Sequence, residues 1–440
     1  MLAVVMTAQA QNSYSVHRLV SDIPGAADHV DANLKNPWGL SASGTSPFWI
    51  SNNHTGTTTV YGSDGNSFPD ANPLVVTIPG PAGGAVDRTS APTGQTFNDT
   101  GTFELAPGKP ALFFFCSEVG TIAGWNSSVS PSALNVVDNS GSGAVYKGIA
   151  VARTNEGPRL YVANFSAGTV EAFDGGFNPV PIPDEIRGPI MPGYSPFNIQ
   201  RIGQRLYVTY AMRNDDGEDD VPGPGNGYVY VFTLEGHLIS RLIEGGALNA
   251  PWGMAIAPEY FGAFSQTLLV GNFGDGKINA YDPCSGQWLG VLADTDGKDL
   301  TLPGLWALRA GNGHSGGEAG LLYFTAGIPG DGAVESHGLF GSIRPAPPTA
   351  PTTAPPPPSS VAVDIRDLRF TPDAISLPVG GTLTWTNNDG FAHTVKGDTA
   401  PFASGVLNHN ATFTQIFDTP GSYDYHCTIH PFMRAKVVVQ

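Results

Sequence analysis

Four side chains near the C-terminal end of the chain have the types and spacing of copper ligands. Cys427, His430 and Met433 follow one another at three-residue intervals, and His393 lies further upstream. One thiolate, two imidazoles and one thioether are the ligand set of a type 1 copper site, in which methionine is a weak axial ligand. The alternative is a buried cysteine beside an ordinary histidine and a core methionine. That alternative does not account for four donors of the right type in the right order.

The residues around these donors resemble the copper loop of amicyanin and its plastocyanin-like cupredoxin relatives. Residues 421–439 carry the resemblance, and it extends over residues 361–440. The two residues between His430 and Met433 are the short form of that loop, as in amicyanin. The resemblance implies a cupredoxin β-sandwich that binds one copper ion.

The resemblance also implies a role for each donor. His393, Cys427 and His430 would be equatorial ligands, and Met433 would be the axial ligand. Thr394 stands where many relatives have an asparagine that braces the ligand loop. The stretch from His393 to Cys427 is also shorter than in typical amicyanins.

The composition is that of a large all-β protein. Only 13% of the 440 residues are charged, whereas Gly (56) and Pro (38) are abundant, which favours short strands and turns. No run of about 18 apolar residues is present, so no transmembrane segment is predicted. The net charge of −17 should repel nucleic acid and anionic membranes, so neither is an expected partner.

The larger, N-terminal part of the chain contains a repeat of roughly 50 residues. An opening motif recurs at 37–40, 147–150, 196–199, 251–254 and 305–308, with a weaker candidate at Phe97 and Asn98. Two or more short apolar strands follow each motif. Six such units predict a six-bladed β-propeller.

The repeats and the proline content divide the chain into segments. We expect the propeller at residues 13–344, a Pro-rich extended linker at 345–360 and the cupredoxin at 361–440. Residues 14–20 alternate like a strand and have no unit of their own. We therefore expect them to complete the sixth blade and remove an open sheet edge.

The N-terminal segment resembles the end of a secretory signal. Residues 1–12 include a short apolar run and an Ala8-Gln9-Ala10 cleavage-like site. Residues 269–282 and 337–341 resemble an exported bacterial family of NHL-like propellers of unassigned function. Both resemblances imply a periplasmic or secreted protein.

Two further metal sites are conceivable in the propeller. The loop 214–220 is rich in carboxylates and could hold Ca²⁺, although a solvated acidic loop is the preferred interpretation. His54, His314 and His337 could converge on a second metal, although chance loop histidines are preferred. Cys116 and Cys284 fall in opposite units, so no disulfide between them is expected.

These observations predict a copper-binding electron-transfer protein whose propeller serves as a docking or scaffold domain. A redox partner would dock on an apolar rim formed by Pro431 and Phe432 around the His430 ring edge. The alternative is a copper-dependent oxidoreductase with a catalytic or second metal site in the propeller and the cupredoxin as its electron relay. A ligand-binding propeller with structural or sensing copper ranks third.

Overall fold

The structure is a computed structural model that describes residues 11–82, 90–188, 191–330, 332–347 and 360–440. The chain divides into two compact units, Met1–Pro347 and Pro348–Gln440. Both are built from β-strands, as the sequence predicted. In the described residues the helices are short: α1 (Asp184–Arg187) and 3-10 turns at Asn53–Thr55, Ser140–Ser142 and Gly262–Phe264. None of the described helices is long and apolar enough to cross a membrane.

The first unit consists of short strands that follow one another closely. In chain order they are β1 (Tyr14–Ser21), β2 (His29–Val30), β3 (Pro37–Ser41), β4 (Phe48–Asn52), β5 (Thr57–Tyr61), β6 (Val75–Thr77), β7 (Pro92–Phe97), β8 (Glu104–Ala106), β9 (Lys109–Pro110), β10 (Phe113–Ser117), β11 (Thr121–Trp125), β12 (Leu134–Asp138), β13 (Tyr146–Thr154), β14 (Gly157–Asn164), β15 (Thr169–Phe173), β16 (Tyr194–Ile202), β17 (Arg205–Met212), β18 (Tyr228–Phe232), β19 (Leu238–Glu244), β20 (Pro251–Ile256), β21 (Leu268–Asn272), β22 (Ile278–Tyr281), β23 (Trp288–Val291), β24 (Leu305–Ala310), β25 (Leu322–Ala326) and β26 (Leu339–Pro345).

These strands form six main sheets. Sheet 1 is β3-β4-β5-β6, sheet 2 is β7-β10-β11-β12, sheet 3 is β13-β14-β15, sheet 4 is β16-β17-β18-β19, sheet 5 is β20-β21-β22-β23, and sheet 6 is β24-β25-β26-β1-β2. Strands β8 and β9 form a separate hairpin. The central strands are buried on both faces, as in β4 and β21, because each sheet packs against its neighbours.

The first strands of the six sheets contact one another in a cycle. Strand β3 contacts β7, and the contacts continue through β13, β16, β20 and β24, which returns to β3. Glycines allow this close approach. A Cβ atom on Gly39 would lie 2.6 Å from the Thr93 carbonyl oxygen, and one on Gly94 would lie 2.8 Å from Gly148 Cα. The glycine of the repeated opening motif therefore has a packing reason.

The N-terminal strand belongs to the last sheet. Strand β1 pairs antiparallel with β26, with Tyr14 opposite Pro345 and Ser21 opposite Leu339. The pairing predicted for residues 14–20 is therefore present. The side chain of Asn12 also donates to the Val291 carbonyl of sheet 5 at 2.9 Å, so the segment ties the last two sheets together.

The weaker candidate for the second opening motif was wrong. The first strand of sheet 2 begins at Pro92, and Asn98 lies just after it, where its side chain donates to backbone carbonyls. The signal was available, because Pro92-Thr93-Gly94 repeats the Pro-X-Gly pattern of residues 37–39 and 251–253.

The second unit is a two-sheet sandwich. Its strands are β27 (Ser360–Arg366), β28 (Arg369–Thr371), β29 (Ala374–Leu377), β30 (Gly381–Asn387), β31 (Lys396–Gly397), β32 (Thr412–Phe417), β33 (Gly421–His426) and β34 (Arg434–Val439). The sheet orders are β28-β27-β30-β32 and β29-β34-β33-β31. Alternate residues of β30 and β34 are buried, and Trp385 packs in one core with Tyr425 and Val437.

Most of the predicted linker, residues 345–360, lies outside the described residues, as do residues 1–10 of the predicted export segment. At the described edges of the linker, strand β26 extends to Pro345 and strand β27 begins at Ser360. Ala346 donates its backbone N–H to the Ser13 carbonyl at 2.8 Å.

Candidate metal centre

A hairpin loop between β33 and β34 holds three of the four predicted ligands. His426 and Arg434 are paired across the antiparallel strands, so residues 427–433 form the connection. The loop is closed by its own backbone. Met433 donates its N–H to the His430 carbonyl at 2.9 Å, and Cys427 donates to the Met433 carbonyl at 3.1 Å. These two bonds fix the direction in which the side chains leave the loop.

His393 comes from a different part of the same unit. It forms an isolated bridge with Leu407, in which His393 N–H donates to the Leu407 carbonyl at 3.0 Å and the reciprocal bond is 2.8 Å. The His393 side chain is fully buried. Backbone pairing on both sides and burial leave the imidazole little freedom to rotate.

The three strongest donors converge. The Cys427 sulfur lies 3.8 Å from His393 Nδ1 and 3.9 Å from His430 Nδ1, and the two Nδ1 atoms are 3.3 Å apart. Metal bonds of about 2.0–2.3 Å to nitrogen and sulfur place two ligands of one ion about 3–4 Å apart. The donors are therefore already spaced as a shared metal ion requires. Among the described residues, this is the group of His, Cys, Asp or Glu side chains with such convergence.

Met433 ends the same loop. Its side chain is buried, with 3% exposure, in the core of the sandwich. A buried thioether on the same loop as Cys427 and His430 is consistent with the soft donor set that selects copper.

A carboxylate sets the orientation of the His393 ring. His393 Nε2 lies 3.2 Å from an Asp389 carboxylate oxygen, which also accepts the Leu368 N–H at 2.9 Å. That N–H, more than the histidine, holds the pKa of Asp389 below its usual value. Because the carboxylate accepts a proton on Nε2, the lone pair of Nδ1 is free for a metal.

Burial favours the neutral form of His393. Removal from water lowers the pKa of His393 below that of an ordinary histidine, and the neighbouring His430 acts in the same direction, although Asp389 opposes both. A neutral imidazole is the form that binds metal.

Thr394 braces the cysteine and its loop. The Thr394 N–H lies 3.3 Å from the Cys427 sulfur, and the Thr394 hydroxyl accepts the Thr428 N–H at 2.7 Å. The two hydroxyls are 2.8 Å apart. Thr394 replaces the asparagine expected from relatives, and its backbone and hydroxyl make the bracing contacts.

Apolar side chains border the exposed part of the site. His430 is partly exposed, and its ring centroid lies 6.0 Å from that of Phe432. Phe432 is 69% exposed and Phe391 64%, and Ile429 and Pro431 are also exposed. Pro431 and Phe432, which directly follow His430 in the loop, form the apolar rim. Such exposure argues against Phe432 being held in place by loop packing.

The other predicted candidates do not form a metal site. His54, His314 and His337 are not brought together in the described structure; His337 instead pairs with Asp22 at 2.7 Å. In the loop 214–220, the Asn214 side chain accepts backbone N–H groups of the loop, and no cluster of carboxylate ligands is present among its described residues. The calcium prediction is therefore not supported. Cys116 and Cys284 are unpaired, as expected.

One buried charge in the first unit was missed. Lys147 is 2% exposed, pairs with Glu118 at 2.5 Å and lies 5.0 Å from the centre of the Trp38 ring. The sequence contained a signal for this buried charge, because Lys147 occupies a position of the opening motif that is aromatic in most other units. The equivalent residue of the opening motif is aromatic in four other units, as in Trp252 and Trp306.

Comparison with known proteins agrees with the site. Residues 358–440 match the copper binding proteins of the plastocyanin/azurin family. Amicyanin-alpha of Methylorubrum extorquens is 36% identical over 89 residues, which are 19% of this chain and 75% of that protein. The solved purple cupredoxin from Nitrosopumilus maritimus is 29% identical and covers 18% of this chain and 99% of its own, with a TM-score of 0.18.

A second relative extends beyond the copper unit. Uncharacterized protein R648 of Acanthamoeba polyphaga mimivirus is 35% identical over 346 residues, which are 76% of this chain and 81% of that protein. An alignment of that length must include much of the first unit. Residues 358–440 are therefore a cupredoxin of the copper-binding plastocyanin/azurin family. Over most of its length, the chain belongs to the family of this mimivirus protein.

Proposed function

We propose that the protein is a one-electron carrier with a type 1 copper site, and that His393, Cys427, His430 and Met433 are its ligands. The observation that carries this proposal is the spacing of 3.3–3.9 Å among the thiolate sulfur and the two Nδ1 atoms. Bound copper would supply a Cu(I)/Cu(II) couple tuned by the axial thioether. Because the protein supplies all four donors, no position remains for a substrate, and outer-sphere transfer follows.

The surrounding residues fit this role. Asp389 keeps the proton on His393 Nε2, and the Thr394 N–H donates to the Cys427 sulfur. Full burial of Cys427 and His393 excludes water from the thiolate. The donors are thus held in one geometry by backbone bonds, which lowers the rearrangement that accompanies a change of oxidation state.

The experiment on the site compares two cysteine variants. Cys427→Ser should abolish the intense blue absorption of the copper-loaded chain and its stoichiometric copper binding. Cys284→Ser is the matched control, since Cys284 is exposed in the other unit and belongs to no group of three or more converging metal ligands among the described residues. A colourless copper-loaded native chain, or a blue Cys427→Ser variant, would refute the assignment.

Electrons would enter and leave through His430. Its ring is the partly exposed member of the donor cluster, and the apolar rim around it could form a small, transient interface with a redox partner. An exposed aromatic side chain such as Phe432 buries a large apolar area when a partner binds, so a small interface can still hold a transient complex.

The rate of electron self-exchange between two copies of the copper-loaded chain tests this surface and requires no identified partner. Phe432→Asp should slow self-exchange, because two rims would then bring like charges together, and it should leave the visible spectrum unchanged. Val379→Asp is the control: Val379 is 50% exposed and precedes β30, whereas the site lies beyond the other end of that strand. Equal rates for both variants would refute the docking surface.

We also propose that the first unit is a six-bladed β-propeller that serves as scaffold or dock. Support comes from the cyclic contacts among the first strands and from the pairing of β1 with β26. Tethering a cupredoxin to a docking domain raises its effective concentration near a common partner. Domain limits at 13–344 and 361–440, with a linker at 345–360, are part of this proposal.

Export is the remaining part of the proposal. The cleavage-like Ala8-Gln9-Ala10 supports removal of the first residues during transport to the periplasm or the medium. N-terminal sequencing of the protein recovered from a periplasmic extract checks this. A mature protein in the cytoplasm that retains Met1 would contradict it.

A further inference from the structure

The first unit contains a cavity at the centre of its six sheets. Its volume is about 190 Å³, and the first strand of every sheet contributes to its lining. Polar groups in the lining come from strands far apart in the chain, including Ser41 on β3, Gln200 on β16 and Arg309 on β24. The residues that line this cavity all belong to the first unit, whereas the donors belong to the second.

Three polar atoms of lining residues have no partner among the described residues: the Ser41 hydroxyl oxygen, Trp252 Nε1 and Arg309 Nε. Ser41 is 3% exposed, and its hydroxyl oxygen is buried without a hydrogen bond. The Nε atom of Arg309 is likewise buried and unpaired. Arg309 is held from its other side, where Nη2 donates to the Ala42 carbonyl at 2.7 Å. The guanidinium is therefore fixed while one of its donors stays unused.

The positive charge of Arg309 has no described counterion. No carboxylate forms a salt bridge with it in the described part of the chain, whereas Arg201, in the same lining, pairs with Asp99 at 2.7 Å. Burial lowers the pKa of Arg309 to about 10, which still leaves it charged at neutral pH. A partly buried cation without a counterion is unfavourable, and an anion at this position would remove the penalty.

We propose that this cavity is a binding site for a small oxyanion, held by the Arg309 guanidinium and the Ser41 hydroxyl. Both groups can donate hydrogen bonds, and the oxygens of a carboxylate, phosphate or sulfate accept them. The cavity is smaller than the roughly 300–1,000 Å³ of sites for drug-sized ligands, so the ligand must be small. The proposal stands independently of the copper function.

Titration of the full chain with inorganic phosphate, sulfate and acetate tests this proposal. Each anion is compared with chloride at the same ionic strength, by calorimetry and by the unfolding temperature of the first unit. Saturable binding of at least one oxyanion is expected, with stabilisation that rises with its concentration. Binding by acetate alone assigns a carboxylate ligand, and binding by phosphate or sulfate assigns a tetrahedral one.

Substitutions of the lining residues show where the anion binds. Arg309→Gln should weaken the affinity for the anion at least about tenfold, and Ser41→Ala should weaken it about threefold. The effect of Arg309→Gln is larger because a hydrogen bond to a charged group contributes more free energy than a neutral one. Arg205→Gln, which removes an exposed arginine of the same unit, should leave the affinity unchanged. Ser41→Ala deletes only an unpaired hydroxyl, so it tests the site even if Arg309→Gln fails to fold.

Two results would overturn the proposal. One is the absence of saturable binding by any of the three anions, which would mean that water alone fills the cavity. The other is an affinity that Ser41→Ala and Arg309→Gln change no more than Arg205→Gln does, which would place the anion elsewhere.

Discussion

The donor cluster of the second unit and the central cavity of the first are built in opposite ways. At the donor cluster, Cys427 and His430 of one short loop meet His393 from a neighbouring bridge, and the backbone holds each in place. In the cavity, Ser41 lies in the first sheet in chain order and Arg309 in the last, and all six sheets contribute to the lining. Local geometry makes the first site, and closure of the whole unit makes the second.

The largest expected effect concerns that closure. Deletion of residues 1–21 removes β1, in which Tyr14, Leu19 and Val20 are each at most 2% exposed. Burial of such side chains is worth about 1.5–3 kcal/mol each, so the loss is comparable with the roughly 5–15 kcal/mol that stabilises a domain. Calorimetry should show the first unit unfolded and the transition of the second unit retained.

Arg18→Ala provides the control for this deletion, because Arg18 is an exposed residue of the same strand. It should leave both transitions within about 0.5 kcal/mol of the native chain. If the deletion variant unfolds at the same temperature as the native chain, the first unit does not depend on closure by β1. The contrast drawn between the two regions would then be wrong.

The next effect concerns the buried charge of Lys147. Burial opposes ionisation of Glu118, but the charge of Lys147 and its hydrogen bond outweigh burial and hold the pKa of Glu118 below its usual value. Lys147→Met leaves Glu118 without its partner and should destabilise the first unit by about 3 kcal/mol. The double variant Lys147→Met/Glu118→Gln should regain most of this loss in chemical denaturation.

The same pair predicts a pH dependence. A carboxylate whose pKa is lowered by folding stabilises the folded state above its unfolded pKa, and that contribution is lost as the pH falls. The difference between the native chain and Lys147→Met should therefore shrink below about pH 4. A difference that stays constant from pH 7 to pH 3 would contradict the ion pair.

A smaller effect concerns the role of Met433 at the copper site. Met433→Leu should keep copper bound and raise the reduction potential, because a weak axial donor that stabilises Cu(II) is lost. Cyclic voltammetry of the copper-loaded chain measures this shift. Loss of copper would mean that Met433 is more than an axial ligand.

The comparison also explains what the sequence could and could not reveal. The spacing of Cys427, His430 and Met433 predicted a converging donor set because one hairpin loop positions all three. The recurring opening motif and the apolar strands after it predicted the sheets, and the structure shows that glycines of the motif allow the close approach of the first strands. Ser41 and Arg309 gave no such signal: their proximity depends on the cyclic arrangement of six sheets, and each looks ordinary within its own strand.

The central claim is that the chain carries one electron at the thiolate site. An anaerobic redox titration of the copper-loaded full chain, followed by the blue absorption, tests it most directly. We expect one electron per chain, taken up and released reversibly at a single potential as the colour disappears and returns. Uptake of more than one electron per chain, or a colour that does not respond to reductant, would contradict it.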